Sequence, residues 1–63
     1  MFIPKDSHMN ISVNRFHKDE ALALVNIAKN EKPKDWHYQI FAGLSERYCI
    51  ECYRDGVFLG HYV

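Results

Sequence analysis

Cys49-Ile50-Glu51-Cys52 is the stretch of this chain with the most obvious chemistry, a C-x-x-C. With His37 and His61 as further ligands, two thiolates at that spacing suit a zinc ion. The same spacing also serves thiol redox work. Geometry opposes the first use, because residues three apart in a strand point to opposite faces and cannot reach one ion together. The second use needs a helix N-terminus or a neighbouring cation at the first thiol, and the sequence around Cys49 offers neither. Two small, semi-buried sheet residues are therefore expected, with no metal and no cofactor. His8, His17, His37 and His61 are scattered, Ser7, Ser12 and Ser45 have no identifiable base, and Gly43, Gly56 and Gly60 stand alone. No catalytic constellation or phosphate-cradling loop can be assembled from these residues, so the chain is expected not to be an enzyme.

Recognition is better represented than catalysis. Two apolar-rich runs, 48–53 and 57–63, flank Arg54-Asp55-Gly56. Asp-Gly suits the two central positions of a type I′ turn, which need φ > 0. Counting outward from it, Arg54 faces Val57, Tyr53 faces Phe58, Cys52 faces Leu59, Ile50 faces His61 and Cys49 faces Tyr62. Alternation then puts Tyr48, Ile50, Cys52, Val57, Leu59, His61 and Val63 on one side, and Cys49, Glu51, Tyr53, Phe58 and Tyr62 on the other. Phe41 joins the second set if Trp36, Tyr38, Ile40 and Ala42 lie under a helix; the reverse assignment stays open. Either way one helix covers one side of a sheet, and several aromatics remain exposed beyond what a monomer's surface usually carries. Phe41, Tyr53, Phe58 and Tyr62 are the expected anchors of a partner, with Glu51, Arg54 and Asp55 at the rim.

The elements that must position these residues follow from periodicity. Residues 19–29, from Asp19 through Leu22, Leu24, Val25 and Ile27 to Lys29, repeat at helical spacing. Asp19 and Glu20 at the start and Lys29 and Lys32 at the end suit the helix dipole, and Pro33 stops continuation. Ala21, Leu24, Val25 and Ala28 form the central stripe, widened by Leu22 and Ile27. Asn10–Phe16 alternates and reads as a first strand, and Trp36–Ala42 as a second. Met1–Met9, interrupted by Pro4 and polar after it, reads as a loose N-terminal arm, with a short edge strand over Met1-Phe2-Ile3 as the alternative. The expected architecture is α+β, β-α-β-β-β, with one helix on an antiparallel sheet of about four strands in a single domain over 10–63. Val57–Val63 is expected at an edge of that sheet, open to strand addition.

The chain has 63 residues, with eight basic and eight acidic side chains. Residues 1–34 hold six basic and four acidic groups, and residues 35–63 hold two and four. A duplex-DNA binder usually carries a basic excess, so zero net charge weighs against that class. Single-stranded nucleic acid stacking on the aromatic face is a weaker alternative, because Glu51 lies in its middle. No apolar run is long enough for a bilayer, and Pro4 interrupts any leader-like start. Two cysteines do not make a disulfide scaffold, so a cytoplasmic protein with reduced thiols is expected.

In its β-α-β-β-β plan, with Asp19-Glu20-Ala21-Leu22 opening the helix and Asp55-Gly56 turning the last hairpin, the chain resembles small phage-encoded inhibitors, including some anti-CRISPR proteins. The resemblance covers size and layout and carries over no functional residue. It implies a stoichiometric protein inhibitor of a host complex, for instance one that processes nucleic acid. A homodimer-forming structural protein is the other alternative.

Overall fold

The structure, a computed structural model, describes residues 1–7 and 16–63. In chain order the elements are strand β1 (Phe2–Pro4), helix α1 (Lys18–Glu31), and strands β2 (Trp36–Ala42), β3 (Tyr48–Arg54) and β4 (Val57–Tyr62). The strands form one antiparallel sheet in the order β1-β4-β3-β2. With α1 packed on one side, this is the expected α+β plan.

Helix α1 begins at His17, whose backbone N–H donates to the Glu20 carboxylate at 3.4 Å. A Glu three residues into a helix commonly reaches back in this way. It ends where the Lys32 N–H donates to the Ala28 carbonyl at 2.8 Å, and Pro33 follows. Ala21, Val25 and Ala28 are buried against the sheet. Two alanines in that stripe leave room for close approach, and Val25 contributes most of its bulk, worth about 1.5–3 kcal/mol when buried. Leu22 and Ile27 do not widen the stripe as expected. They lie on opposite flanks of the helix and stay about half exposed, because the sheet meets α1 along a narrow line.

The sheet supplies the rest of the core. Ile50, Cys52 and Tyr62 are buried under α1, and Phe2, Phe16, Leu24, Trp36, Tyr38, Ile40, Tyr48 and Leu59 pack partly buried around them. Asp55 and Gly56 both have positive φ, 52° and 76°, so the tight turn forms where the Asp-Gly pair predicts it. Arg54 pairs with Val57 and Tyr53 with Phe58, also as expected. Beyond them the register slips by one. Gly60, not Leu59, faces Cys52; His61 faces Glu51; Tyr62 faces Ile50. Leu59 is the extra residue of a bulge, and every later side chain of β4 changes face.

At the N-terminus the short edge strand given as the alternative for Met1-Phe2-Ile3 is present. Phe2–Pro4 pairs with β4, so this part of the arm belongs to the sheet. Pro4 fits there because it faces Gly60 while the flanking bonds are made by others: Lys5 N–H to the Leu59 carbonyl at 2.9 Å and Val63 N–H to the Met1 carbonyl at 2.7 Å. Its missing N–H falls on the outer side of the strand, where no ladder bond is lost. β4 is consequently an inner strand, not the open edge expected for Val57–Val63, and the outer strands are β1 and β2. Of the strand expected over Asn10–Phe16, residues 10–15 lie outside the described residues. Phe16 itself bridges Tyr48, exchanging backbone hydrogen bonds of 3.3 and 2.8 Å. No helix among the described residues is long and apolar enough to cross a membrane.

Candidate functional site

The side of the sheet away from α1 is built by residues 37, 39 and 41 of β2, 49, 51 and 53 of β3, 58 and 61 of β4, and Ile3 of β1. The register sets their rows: His37–Tyr53–Phe58, then Gln39–Glu51–His61–Ile3, then Phe41–Cys49. Phe41 is 52% exposed, His37 and Gln39 are exposed, and Glu51, Tyr53, Phe58 and His61 are half-buried. Ile3 and Cys49 share this side but are buried. The face is thus closed at those two points and open along β2.

The rings on this face hold one another. Tyr53 and Phe58 meet edge to face at 5.6 Å, and Phe58 meets His61 at 5.2 Å. Such pairs fix ring orientation as well as adding about 0.5–1.5 kcal/mol each. The Tyr53 hydroxyl donates to Glu51 Oε1 at 3.1 Å. Desolvation, then this bond to a carboxylate, raises the Tyr53 pKa. Glu51 is therefore held by its neighbour inside an aromatic surface, and offers a remaining acceptor to anything that docks there. An open hollow of about 370 Å³ adjoins this patch, lined by His37, Tyr38, Gln39, Tyr53 and Gly56.

Of the expected anchors, the structure brings Phe41, Tyr53 and Phe58 to one face and removes Tyr62. The bulge turns Tyr62 to the helix side, where it is 3% exposed and part of the core. His61 takes its place on the open side. Asp55 is exposed at the turn. Arg54 falls on the helix side by alternation, and its Nε holds Asp35 Oδ2 at 2.7 Å across the surface. The signal for the slip was in the sequence: a lone glycine inside a strand, Gly60, marks a bulge or a close backbone approach.

The two cysteines sit on opposite sides of β3, Cys52 under the helix and Cys49 on the other side, both as free thiols. Burial pushes the Cys52 thiol up to about 11, against a smaller opposing pull from Lys32. Burial, then Glu51, raises Cys49. Raised thiols are poor nucleophiles at neutral pH. A second hollow, about 200 Å³, lies between the helix end and β2, lined by Lys29, Pro33, Lys34, Trp36 and Tyr38. Compared with protein-family models, curated proteins and solved structures, the chain shows no match.

Proposed function

We propose that this chain is a non-enzymatic protein-binding module that docks through the sheet face opposite α1. Phe41, Tyr53 and Phe58 are its anchors, and Glu51 between them and Asp55 at the turn set specificity. The observation that carries the reading is Phe41. A phenylalanine 52% exposed at one end of the face, two rows from the interlocked half-buried rings of Tyr53 and Phe58 at the other, gives that face aromatic groups at both ends, a residue type enriched at interface centres. The likeness in size and layout to small phage inhibitors supports a stoichiometric inhibitor of a host complex as the biological form of this binding.

The test is affinity capture from the host, followed by titration of the captured protein, once purified, in a calorimeter. Wild type is expected to bind one-to-one, and Phe41→Ser with Phe58→Ser to lose binding while melting as a folded domain. Equal binding by the double variant refutes the face as the docking site. Retention of labelled single-stranded nucleic acid, with no protein partner, refutes the reading in favour of base stacking.

A further inference from the structure

We infer that the outer edge of β2 pairs with β2 of a second copy of this chain, antiparallel and two-fold symmetric, giving a continuous eight-stranded sheet. The backbone fixes which groups are available. Tyr48 exchanges its N–H and C=O with Phe16, and the Gly43 N–H donates to the Arg47 carbonyl at 2.6 Å. In an antiparallel ladder inward and outward residues alternate. His37, Gln39 and Phe41 therefore bond inward to β3, while Tyr38, Ile40 and Ala42 direct their N–H and C=O groups outward. Among the described residues no strand pairs with that side.

Three features choose a second copy as the occupant. Trp36–Ala42 holds no charged residue, so two copies meet without the like-charge repulsion that commonly protects sheet edges. It also has no proline or bulge, and it runs seven residues in unbroken register with β3. The opposite edge is blunt: β1 is three residues long and ends in Pro4. Among the described residues one edge per protomer is open, and one open edge closes at two copies where two would propagate into filaments. Pairing centred on Ile40 sets Ile40 against Ile40 of the second copy on the helix side, and Phe41 against Gln39 on the other. Half-buried Ile40 and half-exposed Phe41 both lose water there. The bonds of this pairing are backbone groups of the edge and leave Tyr53 and Phe58 untouched; Phe41 is the one anchor of the docking face that it reaches.

Sedimentation equilibrium from micromolar to millimolar concentration tests it, together with amide hydrogen exchange. The wild type is expected to double in mass, and exchange at Tyr38, Ile40 and Ala42 to slow as concentration rises. Gln39→Lys, an exposed position, is expected to weaken the dimer about tenfold, since each copy contributes one lysine to the interface. Ala42→Pro removes an outward N–H and no bond to β3, and is expected to give a folded monomer. If the proline variant fails to fold, Gln39→Lys decides alone. A wild type that stays monomeric at millimolar concentration overturns the inference. So does a dimer whose three outward amides exchange unchanged, or one that Gln39→Lys leaves as tight as wild type.

Discussion

Gly60 stands opposite Cys52, one residue later than alternation from the Asp55-Gly56 turn places it. That single displacement decides which aromatics the domain shows and which it keeps. Gly60 has φ +149°, and a Cβ there would run into the Ile3 carbonyl and come within 2.9 Å of Pro4 Cα. Both obstacles are backbone, so no side-chain adjustment relieves them. β1 lies too close to β4 for any larger residue at this point.

Gly60→Ala is therefore expected to cost about 3 kcal/mol, combining a strained φ with loss of β1 from the sheet. Urea denaturation measures the loss, and hydrogen exchange at Lys5 and Val63, whose amides bond across β1 and β4, reports the detachment. Unchanged protection at both amides would show that β1 does not depend on the gap at Gly60.

Tyr62 and Phe58 provide the matching contrast. Tyr62→Ala empties a core position facing Ile50 and is expected to destabilise by about 3–5 kcal/mol, as large aromatic truncations do. Phe58→Ala opens a half-buried surface site and is expected to cost about 1–3 kcal/mol, the worth of its two ring pairs. Thermal melts of the two variants decide it. Near-equal melting temperatures would mean that Tyr62 does not hold the core.

This contrast shows what was legible in the sequence. Helix α1, strand β2 and the Asp-Gly turn each announce themselves through local chemistry: a 3.6 period with charged ends, an aromatic run, a pair of residues that tolerate positive φ. The faces of β4 beyond Phe58 were marked only by the lone Gly60, which signals a bulge or a close approach without fixing the register, because that register involves a strand 56 residues earlier in the chain. The three-residue strand β1 was obscured for a related reason. Pro4 argues against a strand in general, yet costs nothing when its nitrogen faces outward, and only the completed sheet shows which way it faces.

The pH dependence of stability follows from Cys52. Its folded-state pKa is raised to about 11 from an ordinary 9.0, chiefly by burial. The folded protein thus holds the thiol proton more tightly than the unfolded chain. Stability from this group is fully present below pH 9 and is lost as pH rises toward 11, on the order of 2 kcal/mol in all. Cys49 and Tyr38, also raised by burial, act in the same direction. Cys52→Ala is expected to flatten the fall in denaturation midpoint between pH 9 and 11. An equally steep fall in the variant would remove Cys52 as its cause.

Lys32 joins the last observation to the packing of the helix end. Its ammonium lies 5.2 Å from the Phe2 ring centre and 5.7 Å from that of Trp36, two rings that meet edge to face at 4.9 Å from opposite edges of the sheet. A cation over such a pair contributes about 0.5–1 kcal/mol at a partly exposed site. The same charge lowers the Cys52 pKa against the effect of burial. Lys32→Met keeps the aliphatic stem and removes the charge, so two changes are expected together. The domain loses stability by about that amount, and the Cys52 Cβ resonance, followed by NMR as a function of pH in the folded protein, titrates at higher pH. Loss of stability without the shift in titration would leave the ring contact standing and sever Lys32 from the thiol.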